Sequence, residues 1–524
     1  MISAVSDWLR LIGAGFRLTR HDALIPKEYT HLLPGPMVML GAVTRIGAKR
    51  TDNGRTLRPG ERLATAFEGM GPAYVKLGQF MATRADIIGF EMAGDLARLQ
   101  DKMPPFPRST AIAEIEKTFD KKLDDLFSDF SEPIAAASIA QVHKATLKTG
   151  EPVAVKILRP NIERIAAKEF RAFGRAARTI EMFSRSARRM EPVQFIETLK
   201  ESAAVELDLR MEAGAASAIS DSLKDKEGVK APTIIWPLTA RRILTLDWIE
   251  GVPVTDFETL NQQGVDREAL AVKILRLFLT QALHEGFFHA DMHQGNMLID
   301  DQGQLVLIDF GIMGRLDPKT RATFAHIIHG FITRDYQHTA QVHFDAGYIS
   351  KKHSVESFAQ ALRAVGEPLF GRNADAVDMS RVLQQLFDVT DLFDMHLRPE
   401  LILLQRTMVS VEGVARMLYP SVNMWDAATP VVRDYVTDEI GPRAQAEKLR
   451  TAAVKTLEIA PHLPGYVEKI AAASEQISNN QAGFSGNTTK ILTDALAKQN
   501  RMTRNALWFA GAGAVLLAIA TFMN

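Results

Sequence analysis

An apolar helical pattern from Asp266 to Phe288 runs into the octapeptide HADMHQGN, His289 to Asn296, and NMLIDDQGQLVLIDFG reads as a tight hairpin around Asp301, Gln302 and Gly303. Helix, polar loop and hairpin thereby set three oxygen-bearing side chains in order. Asp291 comes first, Asn296 lies five residues on, and Asp309 follows thirteen residues later with Phe310 and Gly311 behind it. A carboxylate and a carboxamide oxygen are hard ligands, of the kind that hold Mg²⁺ against phosphate groups.

The order and spacing resemble a kinase catalytic loop, hairpin and Asp-Phe-Gly. On that pattern Asn296 and Asp309 hold metal, and Asp291 meets the incoming nucleophile as base or orienter. Upstream, VAVK places Lys156 inside a predicted strand, where a lysine contacts the α- and β-phosphates. Such a lysine needs a carboxylate partner, and VELDLRMEAG offers Glu206, Asp208 and Glu212. Glu206 and Glu212 are six apart and share no helical face, so one of them pairs with Lys156, and Glu206 is taken as that one. Each element alone has an ordinary explanation, and a zinc site from His284, His289 and His293 competes, though it leaves Asp291 and Asn296 without a role.

A chain of 524 residues exceeds one ordinary core, so several packed units are expected. Its 62 Lys and Arg balance 62 Asp and Glu with no basic tract, which disfavours nucleic acid as a partner, and with no cysteine there are neither disulfides nor thiolate metal sites. The start is a poor signal peptide, since Asp7 comes early and Arg10 and Arg17 interrupt its apolar residues. Val5, Trp8, Leu9, Ile12 and Phe16 recur at three- and four-residue steps, one helical face expected to dock on the protein's own core; a membrane-surface helix is the alternative. At the far end, Ala506 to Met523 carry no charge and would span about 27 Å as a helix, enough to cross a bilayer once. Lys498, Arg501 and Arg504 before it keep the bulk of the protein cytoplasmic, and Ala506, Ala510, Ala514 and Ala518 form a small-residue ridge that suits a homodimer contact.

Three parts of a protein kinase are absent. Instead of a Gly-rich loop, the first hairpin holds Ala135, Ala136, Ala137, Ser138, Ile139, Ala140, Gln141 and then Val142, a stiffer stretch expected to lie over the nucleotide in another conformation. Ala290 replaces the arginine before Asp291, and the chain reaches Pro318 and a helix soon after Asp309, so a docking platform for a protein substrate is missing. Ahead of the sheet, GMGPAYVKLGQFMATRADI sets Lys76 and Gln79 three apart on one helix face.

That stretch, with AAASIAQVHKA, VAVKILRP, ELDLRMEA, HADMHQGN and LIDFG, resembles the UbiB family of atypical kinase-like ATPases that support ubiquinone biosynthesis, over about residues 20 to 420. The resemblance implies that the Lys76–Gln79 helix covers the nucleotide site, with both residues facing it and meeting Glu206 and Asp208. It implies ATP and Mg²⁺ as ligands and adenine held at Asp247, Trp248 and Ile249. It also implies association with a bacterial inner membrane and its lipid, with isoprenoid phenol or quinone precursors, and with the ubiquinone biosynthesis enzymes. The fold class expected is α+β: a bilobal protein-kinase-like fold with an N-terminal helical extension and a C-terminal transmembrane helix. Its divisions are 1–110 for the extension, 111–250 and 251–430 for the two lobes, 431–504 for a helical tail and 505–524 for the span. Two other functions compete: a small-molecule kinase of the aminoglycoside or choline phosphotransferase type, and a nucleotide-gated scaffold.

Overall fold

The computed structural model describes residues 2–23, 51–52, 55–82, 84, 88–96, 99, 103–183, 188, 191–367, 389, 392–395 and 399–440. Its first lobe is built on β1 (Phe127–Ala136), β2 (Ala140–Leu147), β3 (Pro152–Leu158) and, after a helical excursion and the short β4 (Val229–Lys230), β5 (Ile243–Asp247). The sheet order is β1-β2-β3-β5, antiparallel throughout. KTGE, Lys148 to Glu151, closes the β2–β3 hairpin, whereas β1 was not legible, because its Asp, Ser, Glu and Pro break any alternation. Side chains alternate along β3, so Val153, Val155 and Ile157 pack into a core with Ile115, Phe127 and Phe130. Lys156, between them, emerges on the opposite face.

Helices α6 (Ile162–Phe183), α7 (Pro192–Glu206) and α8 (Leu209–Leu223) form the excursion, and β6 (Gly251–Pro253) leads into the second lobe. There α9 (Arg267–Thr280) is nearly all core, burying Leu270, Ala271, Ile274, Leu275, Leu277 and Phe278. A π-helical turn, Gln281–Glu285, continues it to Gly286, whose φ of +65° lies in the left-handed region and whose Cβ would sit 2.8 Å from the Leu316 carbonyl oxygen, so only glycine turns the chain here. Then come β7 (Phe287–His289), the polar loop, the hairpin of β8 (Met297–Asp300) with β9 (Leu305–Leu307), and β10 (Met313–Arg315) paired to β7. The Asp300 carboxylate accepts from the amides of Gln302 and Gln304 and fixes the hairpin turn. Helices α10 (Pro318–Ile332), α11 (Tyr336–Asp345), α12 (Val355–Gly366), α13 (Pro399–Leu418) and α14 (Met424–Tyr435) complete the lobe. The architecture is α+β and two-lobed.

The N-terminal extension contributes α1 (Ile2–Arg20), α2 (Pro59–Glu68), α3 (Pro72–Ala82) and α4 (Phe90–Leu96), and α5 (Arg108–Phe119) leads from it into the sheet. The docking expected of α1 is reversed. Buried Asp7 pairs with Arg175 of α6 at 2.6 Å and Arg10 pairs with Glu169, while Val5, Leu9, Ile12 and Phe16 are more than half exposed. Ion pairing has chosen the face, because a buried carboxylate needs its cation more than an apolar side chain needs burial. On α3, Gly78 allows close packing: a Cβ there would lie 2.7 Å from the Phe67 ring of α2.

Among the described residues no helix is long and apolar enough to cross a membrane. The transmembrane segment expected at 505–524 and the tail from 441 lie outside the described residues.

A small core of α11 and α12 encloses His343, whose Nδ1 donates to the Thr339 carbonyl at 2.7 Å between the Tyr348 and Phe358 rings. Burial pulls its imidazole down to about 4 from the ordinary 6.5. The unfolded chain therefore binds the proton first, and stability is constant above pH 6.5 and lost as pH falls towards 4. Urea unfolding at pH 7.5 and 5 should differ by about 2 kcal/mol more in the wild type than in His343→Gln.

Candidate active site

The cleft between the lobes draws side chains from several elements. Lys156 reaches into it from β3, and its ammonium lies 2.7 Å from Glu212 and 3.4 Å from Asp309. Lys76 enters from α3 and meets Glu206 at 2.6 Å. Three carboxylates and two ammonium groups thus gather with one negative charge in excess, which favours a cation.

Two assignments from the sequence need correction. Lys156 pairs with Glu212, not Glu206, and Asp208 does not meet Lys76 or Gln79. The cause of both is one local break. Asp208 ends the helical run by capping α8, accepting from the Arg210 amide at 3.2 Å and pairing with the Arg210 guanidinium at 2.6 Å. Glu206 therefore closes α7 and faces Lys76, while Glu212 stands in the first turn of a separately oriented helix. Their six-residue spacing was read along one helix that does not exist. Gln79 lies on α3, half-buried, three residues beyond Lys76.

Burial alone would lower the Lys156 ammonium, but Asp309 and Glu212 outweigh it and hold it above the ordinary lysine range. Burial raises the Glu212 carboxyl and the negative charge of Asp309 adds to this, while the Lys156 ammonium pulls it the other way. The charge of Lys156 holds Asp309 below the usual carboxylate range.

Asp309 has a φ of +61°, in the left-handed region, and its carboxylate accepts from the Gly311 amide at 3.2 Å. A residue so held is strained, and the strain is kept because the turn fixes where the carboxylate sits. Half of its side chain stays open to solvent. Asn296 donates its amide nitrogen to the Asp291 carbonyl at 2.9 Å and lies 3.4 Å from the Asp291 carboxylate, which leaves its amide oxygen as a ligand. The donor set, one carboxylate and one amide oxygen, fits Mg²⁺, which takes few protein ligands and keeps the rest for water and phosphate. Asp291 is partly exposed beside them, 3.7 Å from His293.

The three histidines do not converge on a zinc site. His289 Nδ1 accepts from the Asp291 amide at 3.1 Å and its Nε2 lies 3.3 Å from the Ile308 carbonyl, and burial holds it neutral. His284 packs on Tyr435, and the His293 side chain caps its own turn, accepting from Gly295.

The Ala-rich loop joins β1 to β2: Ala135 and Ala136 end one strand, Ala140, Gln141 and Val142 begin the other, and Ala137, Ser138 and Ile139 make the turn. Arg159 fastens it, donating from Nε and Nη2 to the Ala137 carbonyl at 3.0 and 2.8 Å while its amide donates to Ile139. Gln141 is buried and bonded both ways to the Phe106 backbone. Neither role was singled out in the sequence; the Arg in VAVKILRP, just past the strand lysine, was the available signal. A small cleft beside the loop is lined by Ile139, Pro72, Ala73, Lys76 and Glu206, which places α3 against the loop. Asp247, Trp248 and Ile249 form the strap between lobes, with Asp247 accepting from the Thr233 amide and the Trp248 amide donating to Pro152.

Comparison with known proteins decides the family. Residues 98–343 match the ABC1 atypical kinase-like domain and residues 362–423 the UbiB helical domain. "Probable protein kinase UbiB" of Marinobacter nauticus is 34% identical over 477 residues, covering 89% of this chain and 85% of that protein. The protein of the same description from Pseudomonas aeruginosa is 36% identical over 412 residues, covering 78% and 76%. The chain belongs to the UbiB family. A solved structure of Rv3197 from Mycobacterium tuberculosis, in complex with erythromycin, is 25% identical with a TM-score of 0.52, covering 69% of this chain and 92% of that one. The UbiB assignment makes the two lobes those of a kinase-like phosphotransferase fold.

Proposed function

We propose that this UbiB protein binds ATP with Mg²⁺ beneath α3 and turns it over in support of ubiquinone biosynthesis, anchored to a bacterial inner membrane through Ala506–Met523 with its lobes in the cytoplasm. Its partners on this reading are isoprenoid phenol or quinone precursors and the enzymes that process them. The single observation that carries the reading is the double latch: Lys156 held between Glu212 and Asp309, and Lys76 held on Glu206. Lys156 and the Ala-rich loop would bind the phosphates, Asn296 and Asp309 would hold Mg²⁺, and Asp291 would orient the attacking hydroxyl or water. When bound, Mg²⁺ supplies charge neutralisation as the phosphoryl group leaves. The strap at Asp247 to Ile249 would present backbone groups to adenine. With Lys76 and α3 over the cleft, a bulky protein substrate has no approach, which favours ATP hydrolysis over protein phosphorylation.

The test is quinone profiling of a strain lacking this chain, rescued by the wild type or by Lys76→Ala, Asp291→Asn or Asp309→Asn. Wild type should restore quinone, and each variant should leave an early prenylated phenol to accumulate. Normal quinone in the deleted strain together with altered phosphorylated metabolites would replace this reading with a small-molecule kinase; rescue by Asp309→Asn would replace it with a scaffold.

A further inference from the structure

The outward face of α1 has no partner among the described residues, and what it presents is unlike an ordinary solvated helix. Val5, Leu9, Ile12 and Phe16 are 60, 63, 54 and 71% exposed, with Trp8 beside them at 44%. At 100° per residue these positions fall on one side of the helix, opposite Asp7, Ala14 and Leu18, which face the protein. Single exposed apolar side chains are normal, but five on one ridge mark a contact surface.

Charge decides what the contact is. Of the three acidic residues of α6, Glu163 pairs with Arg242, Glu169 pairs with Arg10, and Glu181 accepts from the Val193 amide. Its basic residues Arg164, Arg171 and Arg178, seven apart and so on one face, are exposed, and among the described residues none has an ion-pair partner. Arg17 and Arg20 close the last turn of α1. A convex apolar ridge carrying Trp and Phe, beside a row of unpaired arginines, matches a surface that is apolar within and anionic at its face. A protein groove would have to supply both a trough and matching carboxylates, whereas an acidic membrane supplies both without a fitted shape.

We propose that α1 and the outer face of α6 form a docking surface for an anionic lipid bilayer, with Trp8, Leu9, Ile12 and Phe16 entering the headgroup boundary and Arg164, Arg171 and Arg178 meeting lipid phosphates. The proposal does not depend on Ala506–Met523. A chain anchored there would be held down at a second point, near the nucleotide lid, since Tyr74 of α3 packs against the Phe173 ring of α6.

The chain has no cysteine, so Phe16→Cys gives the full-length protein one labelling site, and Asp301→Cys on the β8–β9 turn gives a control. Both are labelled with an environment-sensitive fluorophore and reconstituted with vesicles containing brominated lipid, either phosphatidylcholine alone or with about a third phosphatidylglycerol. Quenching at position 16 should exceed that at 301 by about threefold or more in the anionic vesicles. It should fall in neutral lipid and with Arg164→Gln, Arg171→Gln and Arg178→Gln combined. All three arginines are surface residues, and circular dichroism checks that the variant stays folded. Equal quenching at both positions, or none at 16, overturns the proposal even if the C-terminal stretch anchors the chain. A spectral change at 16 that grows with protein concentration and needs no lipid overturns it too, in favour of a second copy of the chain.

Discussion

Asp309→Asn should weaken Mg²⁺-dependent ATP binding by about 100-fold or more, equivalent to about 2.7 kcal/mol, and leave binding without metal almost unchanged. The substitution removes one charge and keeps the shape. Asp309 is the carboxylate placed for a cation, held ionised by Lys156 and half open to solvent. An amide in its place still accepts from the Gly311 N–H, so the turn survives while the metal loses its charged ligand. Titration of a fluorescent ATP analogue with and without Mg²⁺ reads the difference directly. Asp301→Asn, on the exposed hairpin turn of the same segment, is the matched control and should bind as wild type does. Equal loss in both variants would mean that the substitution acts through the fold and not through the cation.

Lys156→Met is expected to cost about 3 kcal/mol of stability, because removing one member of a buried ion pair strands the other. Glu212 is left with burial and the charge of Asp309 both pushing its carboxyl up and nothing pulling it down. The pH dependence gives the mechanism away. In the variant the folded state takes up a proton at Glu212 before the unfolded chain does, so the deficit relative to wild type is full at pH 7.5 and shrinks as pH falls through the raised value. Adding Glu212→Gln should recover more than half of the loss at pH 7.5, since a neutral amide needs no counter-charge. Urea unfolding of the two single variants and the double variant closes the cycle. If the double variant is as unstable as the sum of its parts, the pair is not a unit and the 2.7 Å contact carries little.

The chemistry was more legible than its support. Asp291, Asn296 and Asp309 could be placed from spacing because a loop and a tight hairpin leave little freedom between them, and Lys156 because β3 alternates cleanly. The Lys156 partner was misjudged because a helix break at Leu207 and Asp208 changes direction without a glycine or proline to announce it, and the capping aspartate looked like another candidate ligand. The face of α1 was misjudged because hydrophobic periodicity says that one side differs from the other, not which side the protein takes. There, a lone Asp at position 7 outweighed five apolar neighbours. Arg159 and the clamp that Gln141 makes on Phe106 passed unnoticed because each works on a distant backbone carbonyl or amide, which no local pattern encodes.

The missing side chain at Gly78 has a mechanical consequence. Because α3 lies against Phe67 of α2 with no intervening Cβ, the two helices pack closely, and a displacement of one would carry the other with it. The connection from that block to the sheet passes through Phe106, which Gln141 grips by both its amide and its carbonyl. On the proposed reading, a motion that bares the nucleotide would swing the whole block about that grip, a collective displacement in the microsecond to millisecond range rather than a local flicker. Admission of ATP and escape of ADP would then be timed by the front of the chain, however fast the bond itself is broken.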